Sequence, residues 1–375
     1  MNKIRVLHMV STLSNGSGVM GFIMNAYRNI NRNKIQFDFI YFDNEERSIT
    51  YIDEILKLGG KVNYITKPNN LRNINEFKNE LSEILKKENY KIIHLHEVYL
   101  NKFVNDEAKK VVGAKVIAHS HATKYSDNKI KAIRNKILCF NLKKNVDIFF
   151  ACSKAAGKFL YGKKAFYKNR VFVINNAIEI DKFKYNENIR NKVRKELNLE
   201  EKFVIGNIGR FAKQKNHKFL IDIFYEVKKK KENAFLLLIG EGDLRESIEK
   251  KLEKLNLRNS VLFLSSRKDV NEILQGMDVF VLPSLYEGLP VSVIEAQTSG
   301  LPCIISNKVT DEVNIIDCKF LSITNAKVWC KYILKSEDHL RVDTNESITK
   351  AGYDIKYEAL RIQNIYEKLY AGRDI

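Results

Sequence analysis

The sequence predicts an α/β fold made of two Rossmann-like, doubly wound domains. Three observations lead to this prediction: short apolar runs alternate with segments of helical periodicity, the alternation occurs twice, and one polar, charged segment separates the two series. A chain of 375 residues is long enough for two domains that each have a hydrophobic core. Its apolar content of 45% and charged content of 29% are typical of globular proteins.

The first series occupies residues 1–178, the expected N-terminal domain. Its predicted strands lie at 4–10, 37–42, 61–65, 92–95, 115–118, 148–152 and 171–174, and helical periodicity occurs between them, for example at 21–30, 51–57 and 74–87. Strands that alternate with helices in this way form a parallel sheet.

A polar segment at 179–201 is predicted to link the two domains and to contain a short basic helix at 188–197. The C-terminal domain, 202–354, repeats the scheme, with strands at 203–208, 235–239, 261–264, 279–282, 303–306 and 320–323 and helices such as 217–230 and 244–255. The final segment, 355–375, begins with a helix that has an apolar face. Open parallel sheets bind their ligands beyond the carboxyl ends of the strands.

The most informative stretch holds two glutamates, Glu287 and Glu295, eight positions apart. Gly288, Leu289 and Pro290 between them are typical of a loop that enters a helix. A helix N-terminus favours phosphate, and carboxylates accept hydrogen bonds from hydroxyl groups. At about 1.5 Å per residue the two carboxylates lie roughly 12 Å apart, which suits a nucleoside-diphosphate sugar. The alternative is a pair of solvated glutamates on a surface helix.

This stretch resembles the Glu-x7-Glu signature of retaining glycosyltransferases of family 4. The resemblance lies in the order of its parts: a strand, Pro-Ser, an aromatic residue, Glu-Gly-Leu-Pro, an apolar turn, Glu-Ala and then Ser-Gly-Leu-Pro at 299–302. The resemblance covers nearly the whole chain and is strongest from 206 to 302. It implies the GT-B fold, in which two Rossmann-like domains face a central cleft, with the acceptor on the first domain and the nucleotide sugar on the second. It also implies that 355–375 crosses back to the first domain, that Glu287 holds the donor sugar and that Glu295 holds the ribose.

A second motif begins in the strand at 203–208, where Gly209 and Arg210 are followed by Lys215 at a helix entry. Glycine lets the backbone approach a ligand, and two cations there would hold a diphosphate and neutralise it as it leaves. The motif is similar to the Gly-Arg-x4-Lys phosphate clamp of the family, with Lys213 as a weaker candidate; ordinary surface lysines are the alternative. The resemblance implies further donor contacts at Gly16, Gly18, Glu241, Arg267, Gly288, Leu289 and Pro290, although this chain has Ser265 or Ser266 where the family usually has glycine.

Two histidine pairs, His94 with His96 and His119 with His121, end predicted strands of the first domain. Alternation along a strand puts both members of a pair on one face. Apart from Glu97, the sequence near these histidines has no cysteine or carboxylate at the spacing of metal ligands, so no metal site is predicted. A histidine at a strand end is more often structural. The resemblance, however, implies a histidine that touches the donor sugar, and His121 fits best by register, with His119 and His96 as alternatives.

The sequence contains no Asp-x-Asp motif, so metal-bridged diphosphate binding has no obvious ligands. Arg210, Lys215 and the helix after Gly288 can supply the positive field instead. We therefore expect metal-independent transfer with no cofactor beyond the nucleotide-sugar substrate.

The formal charge of +19 is concentrated between residues 124 and 170, where basic and apolar residues alternate. Such a surface can bind an anionic membrane or nucleic acid. No nucleic-acid module accompanies it, so the membrane is favoured and nucleic acid is not expected; a biased genomic composition is the alternative. The five cysteines lack the spacing of metal ligands, and the sequence shows neither a signal peptide nor an apolar membrane span, so a cytoplasmic protein is predicted. The basic segment adds the prediction that it is peripheral on the inner face of the plasma membrane.

Taken with the resemblance, these features predict a retaining, metal-independent hexosyltransferase of capsule or exopolysaccharide synthesis. Its expected donor is a UDP-hexose or UDP-N-acetylhexosamine, and its expected acceptor is a saccharide, in particular a lipid-linked one. Two alternatives remain. One is a nucleotide-sugar 2-epimerase of the same fold, which needs no acceptor. The other is a catalytically silent basic module that binds lipid or nucleic acid.

Overall fold

A computed structural model describes residues 3–42, 50–68, 71–126, 128–168 and 170–375. The chain divides into two compact units. The first unit comprises Met1–Ala177 together with Ile355–Ile375, and the second comprises Ile178–Asp354. Among the described residues, no helix has both the length and the apolarity needed to cross a bilayer.

The described part of the first unit contains a seven-stranded parallel sheet in the order β3-β2-β1-β4-β5-β6-β7. Its strands are β1 (Ile4–Met9), β2 (Ile35–Tyr41), β3 (Val62–Tyr64), β4 (Ile92–Leu95), β5 (Lys115–Ser120), β6 (Ile148–Ala151) and β7 (Val171–Val173). Its helices up to this point are α1 (Gly18–Asn29), α2 (Ile52–Lys57), α3 (Leu71–Glu88), α4 (Asn101–Val111), α5 (Lys129–Leu138), α6 (Leu142–Asn145), α7 (Lys154–Tyr161) and α8 (Lys163–Tyr167). The strand order reverses between β1 and β4, so a ligand crevice is expected at their carboxyl ends.

In its described residues the second unit contains a six-stranded parallel sheet in the order β10-β9-β8-β11-β12-β13. Its strands are β8 (Phe203–Ile208), β9 (Ala234–Ile239), β10 (Val261–Leu264), β11 (Val279–Leu282), β12 (Cys303–Ser306) and β13 (Lys319–Leu321). Its helices are α9 (Ile180–Phe183), α10 (Glu187–Glu196), α11 (His217–Lys228), α12 (Arg245–Lys254), α13 (Val270–Gly276), α14 (Val291–Thr298), α15 (Ala326–Leu334) and α16 (Asn345–Lys350). Here the order reverses between β8 and β11.

The predicted fold of two Rossmann-like, doubly wound domains is confirmed. All thirteen predicted strands are present among the described residues, and their ends differ from the prediction by at most two residues. Each sheet carries apolar side chains towards its covering helices, so that large residues such as Phe37 and Tyr27 in the first unit and Trp329 and Phe224 in the second are fully buried. Burial on this scale is the main stabilising contribution in each unit.

The last helix, α17 (Ile355–Tyr370), belongs to the first unit. Its apolar face explains this, because Ile362, Ile365 and Tyr366 join the same core cluster as residues of β1 and β2. Gln363 adds a polar contact, since its Oε1 accepts a hydrogen bond of 3.1 Å from the backbone N–H of Asn31.

The segment 179–201, expected as a link, lies instead within the second unit. Its basic helix α10 packs against α13, and two of its arginines bind one carboxylate: Arg190 Nη2 lies 2.5 Å and Arg194 Nη1 3.2 Å from oxygens of Asp278. The sequence shows the high charge of this helix but not its pairing partner, which is why the segment looked like a solvated linker.

Candidate active site

The switch point of the second unit brings together the loops that follow β8 and β11. After β8 the chain turns at Gly209, passes through a short 3-10 turn at Lys213–Lys215 and enters α11. A Cβ atom on Gly209 would lie 2.8 Å from Lys215 Cε, and one on Gly240 would lie 2.3 Å from the Gly209 carbonyl oxygen. Glycine at these two positions therefore allows the Lys215 side chain and the loop after β9 to lie against the turn.

Glu287 is the centre of a buried polar cluster in the loop after β11. Its Oε1 lies 2.8 Å from Lys215 Nζ and also accepts a hydrogen bond of 2.8 Å from Ser284 Oγ. Its Oε2 accepts a hydrogen bond of 2.9 Å from Gln214 Nε2. The Lys215 and Glu287 side chains are only 15% and 8% exposed, so this ion pair is shielded from water and joins the two loops of the switch point.

The prediction named Lys215 and Glu287 separately, and the structure pairs them. It missed Gln214 and Ser284, which hold the same carboxylate. Gln214 also accepts a hydrogen bond of 2.8 Å from the backbone N–H of Leu285, so one residue fixes both the backbone and the side chain of the opposite loop. The only sequence signal for these two residues was their position inside the quoted motifs.

Arg210 and Lys213 have a different environment from Lys215. Both side chains are exposed, and neither forms an ion pair with any residue that the structure describes. The guanidinium of Arg210 thus remains available to an anionic ligand beside the switch point, where the largely buried side chain of Lys215 is already held by Glu287.

Glu241 and Arg267 lie in the loops after β9 and β10. Glu241 Oε1 accepts a hydrogen bond of 3.2 Å from the backbone N–H of Ser266, which joins these two loops. The Arg267 side chain forms an ion pair with Asp269, with Nη2 and Oδ2 2.6 Å apart. Both positions are at the carboxyl edge of the sheet, as expected, but the guanidinium of Arg267 is committed to Asp269.

Gly288, Leu289 and Pro290 are buried and lead into α14, for which Pro290 is the N-cap. Pro290 makes no side-chain cap at this N-terminus, so the first N–H groups of α14 are not capped by their own N-cap residue. Glu295 lies on α14, is half-buried and forms no ion pair with a described residue. Burial raises the pKa of its carboxyl group to about 7, which makes the group able to donate as well as accept a hydrogen bond near neutral pH.

In the first unit, Gly16 lies in the turn between β1 and α1, and Gly18 is the first residue of α1. Ser17 between them caps α1, because its hydroxyl accepts a hydrogen bond from the backbone N–H of Met20. A Cβ atom on Gly18 would meet no described atom within 4 Å, so the backbone there borders open space.

The histidines of the first unit form one network at its own switch point. His96 Nδ1 lies 2.8 Å from His121 Nε2, and His94 Nε2 lies 3.1 Å from His119 Nδ1. His8 at the end of β1 joins them, with its Nδ1 3.1 Å from His96 Nε2. Burial lowers the pKa of all five histidines, and that of His121 falls to about 3, so the imidazoles are neutral at physiological pH.

Two members of this network were missed by the sequence analysis. His8 lies opposite His94 in the pairing of β1 with β4, and Tyr366 of α17 places its hydroxyl 2.6 Å from His94 Nδ1. Their proximity depends on strand order and on the packing of the last helix, which the sequence pattern does not give. His96, His119 and His121 border a pocket of about 180 Å³ that Tyr125 and Phe159 also line.

Comparisons with known proteins show the family and the fold of the chain. Residues 17–182 match the family model described as Glycosyltransferase Family 4, and residues 188–321 match Glycosyl transferases group 1. The putative glycosyltransferase EpsF of Bacillus subtilis is 31% identical over 372 residues, which are 96% of each chain. The UDP-Gal:alpha-D-GlcNAc-diphosphoundecaprenol alpha-1,3-galactosyltransferase of Escherichia coli is 29% identical over 72% of each chain. The crystal structure of Anabaena Alr3699/HepE with UDP and glucose is similar in fold, with a TM-score of 0.78 at 14% identity, covering 97% of this chain and 100% of the other.

Proposed function

Because the chain belongs to glycosyltransferase family 4 and has its GT-B fold, we propose that it is a retaining enzyme of surface polysaccharide synthesis that moves a hexose or N-acetylhexosamine from a UDP-sugar to a lipid-linked saccharide. The observation that carries this proposal is the buried pair of Lys215 and Glu287 beside the exposed Arg210 at the switch point of the second unit. The E. coli relative acts on a diphosphoundecaprenol-linked acceptor, and the HepE structure contains UDP, which supports both substrate classes.

In this proposal the donor diphosphate binds Arg210, Lys215 and the N-terminus of α14. These fixed positive groups neutralise the charge that develops on the leaving phosphate, so transfer requires no metal ion. Glu287 orients the donor sugar, Glu295 holds the ribose hydroxyls, and the leaving phosphate assists attack by the acceptor on the same face of the sugar. Gly16, Gly18, Glu241 and the backbone near Arg267 complete the donor contacts.

A direct test incubates the purified protein, in EDTA, with a panel of UDP-sugars and a synthetic lipid-diphosphate saccharide. We expect one donor to give a product whose new linkage keeps the anomeric configuration of the donor, as read by NMR. Formation of a new sugar isomer without acceptor would identify an epimerase instead. Loss of turnover in EDTA that Mg²⁺ or Mn²⁺ restores would contradict metal independence. Thermal stabilisation by each UDP-sugar identifies the donor independently of turnover.

His121→Ala is expected to lower kcat at least tenfold, equivalent to about 1.4 kcal/mol. In the proposal the imidazole contacts the donor sugar in the transition state, so nucleotide affinity remains nearly unchanged because no contact to base or ribose is lost. The measurement is kcat at saturating donor together with UDP affinity by calorimetry, with the exposed His339→Ala as control. If the His121→Ala enzyme is active and the His119→Ala enzyme is not, His119 is the residue that contacts the sugar. If both variants are fully active, the histidine network has only a structural role.

Glu295→Ala is expected to raise the donor KM more than it lowers kcat. Hydrogen bonds to the ribose are equally strong in the ground and transition states, so their loss weakens binding without slowing the chemical step. Glu295→Gln, which can still bond a hydroxyl, should raise KM less. Steady-state kinetics with varied donor decide the point, and a fall in kcat at unchanged KM would show that Glu295 acts on the sugar instead.

The proposed acceptor is a lipid, and α5 has a surface suited to a membrane. Its apolar side chains are spaced along one face and are exposed rather than buried: Ile130 78%, Ile133 63%, Ile137 68% and, just beyond the helix, Phe140 82%. Exposed lysines accompany them at positions 129, 131, 136, 143 and 144. Apolar side chains among lysines fit the interface of an anionic bilayer, so we propose peripheral binding at the cytoplasmic face of the plasma membrane.

Replacing Lys143, Lys144, Lys163 and Lys164 by glutamine is expected to weaken binding to anionic vesicles, most strongly at low salt, and to leave donor hydrolysis unchanged. Co-sedimentation with phosphatidylglycerol vesicles at several salt concentrations measures this. A matched control replaces four exposed lysines of the second unit, Lys250, Lys254, Lys327 and Lys331, and so removes the same charge. Equal vesicle binding by both variants would rule out the basic segment as the membrane contact.

A further inference from the structure

We propose that His96, His119 and His121 form a binding site for a divalent transition-metal ion, with Zn²⁺ as the best fit. One ring nitrogen from each of these residues lies within 4.8 Å of the others. Three imidazoles with room for a fourth ligand match the preference of Zn²⁺ for tetrahedral nitrogen coordination. The three ligands belong to the first unit, whereas the residues proposed to bind the donor diphosphate belong to the second, and in the proposed function the diphosphate needs no metal.

The residues around the three ligands support this assignment, because metal-bound histidines usually donate their second ring N–H to a fixed partner. His119 Nδ1 lies 3.1 Å from His94 Nε2, and His94 Nδ1 lies 2.6 Å from the Tyr366 hydroxyl. When His119 donates to His94 and His94 donates to Tyr366, the lone pair of His119 is on Nε2. That atom is fully buried and has no hydrogen-bond partner among the described residues.

His96 is oriented in the same way. Its Nε2 lies 3.1 Å from His8 Nδ1, so donation to His8 leaves the lone pair on His96 Nδ1. That atom lies 2.8 Å from His121 Nε2, and in the metal-free protein the two nitrogens share one proton. A metal ion would replace this proton, which moves to His121 Nδ1, and both nitrogens would then face the ion.

Proximity and access also favour this triad. Each of the three side chains offers a ring nitrogen, and these nitrogens lie within 4.8 Å of one another. All three residues border the pocket of about 180 Å³, which provides an entry path and space for a water ligand. A second triad of His8, His94 and His96 is also close enough, but all three are buried and two of them do not border the pocket.

Occupancy of the site would have a consequence for transfer that rests on the proposed role of His121. An ion held by His121 withdraws its ring from the donor sugar, so Zn²⁺ should inhibit reversibly. EDTA would then restore full activity rather than abolish it.

The test titrates the metal-free, full-length protein with Co²⁺ and with Zn²⁺. We expect the visible absorption of tetrahedral Co²⁺ at one ion per chain and displacement of that ion by Zn²⁺. His119→Gln and His121→Gln should each weaken Zn²⁺ binding, measured by calorimetry, by well over tenfold, and His94→Gln by about tenfold through loss of the supporting bond. The exposed His339→Gln should bind as the wild type does.

His119 is fully buried, so folding of its variant is checked by circular dichroism. His121 is partly exposed, and its variant provides the same test if His119→Gln does not fold. Absence of the Co²⁺ spectrum, or Zn²⁺ binding by His121→Gln that equals the wild type, would overturn the proposal. The outcome is independent of the proposed function, because metal binding is measured without donor or acceptor.

Discussion

Replacing Glu287 by alanine is expected to lower kcat by a factor of a hundred or more, and to lower the free energy of unfolding by about 3 kcal/mol. The second effect follows from the ion pair: without Glu287, the Lys215 ammonium group loses its partner at a site that is only 15% exposed. The first follows from the position of the sugar, because a small displacement from the attack geometry slows the chemical step steeply. The hydrogen bonds from Gln214 and Ser284 show how tightly this geometry is held.

Two variants separate these effects. Glu287→Gln keeps the size of the side chain and one carbonyl acceptor but removes the charge, whereas Gln214→Ala keeps the ion pair and removes one of its supports. We expect kcat to fall in the order Gln214→Ala, Glu287→Gln, Glu287→Ala, from the smallest loss to the largest. Urea denaturation gives the stability of each variant, and kinetics at saturating donor give kcat. If the Glu287→Ala enzyme is folded and has a normal kcat but a raised KM, Glu287 holds the ribose and Glu295 orients the sugar, the reverse of the proposed roles.

The sequence was sufficient for the fold because each strand is a short apolar run bounded by polar residues, and such runs are local. It was also sufficient to place the motifs on elements, since Gly209 follows β8, Glu287 follows β11 and Glu295 lies on the next helix, α14. It could not give contacts between distant segments. The pairing of Lys215 with Glu287 joins two loops that are separated by three strands in the sequence and become neighbours only because β8 lies beside β11.

The same reason explains the first-unit residues that were missed. His8 contacts His96 because β1 lies beside β4, and Tyr366 reaches His94 from a helix at the far end of the chain. The charged segment 179–201 shows the reverse case, because it was expected to be a link and lies within the second unit. Arg190 and Arg194 look solvated in the sequence, whereas their shared partner Asp278 places them against α13. Sheet order and helix packing, not local pattern, determine all of these contacts.

Replacing Arg210 by alanine is the second change with a large expected effect, a loss of about 2 to 4 kcal/mol in transition-state stabilisation. Arg210 is exposed and pairs with no described carboxylate, so its removal should leave the free energy of unfolding unchanged. Any loss of kcat/KM must then come from a lost contact with the ligand and not from a less stable fold. The effect should be larger on kcat than on KM, because negative charge on the leaving diphosphate increases in the transition state.

Lys213→Ala is the matched control for Arg210, since Lys213 is an exposed cation three residues away that also pairs with no described residue. A long-range effect of net charge would slow both variants equally, whereas direct phosphate contact would slow Arg210→Ala much more. Arg210→Lys should be intermediate, because it keeps the charge and loses the planar fork that binds two phosphate oxygens. Equal kcat/KM in the Arg210→Ala and Lys213→Ala enzymes would remove Arg210 from the diphosphate site and leave Lys215 as the cation that neutralises the leaving group.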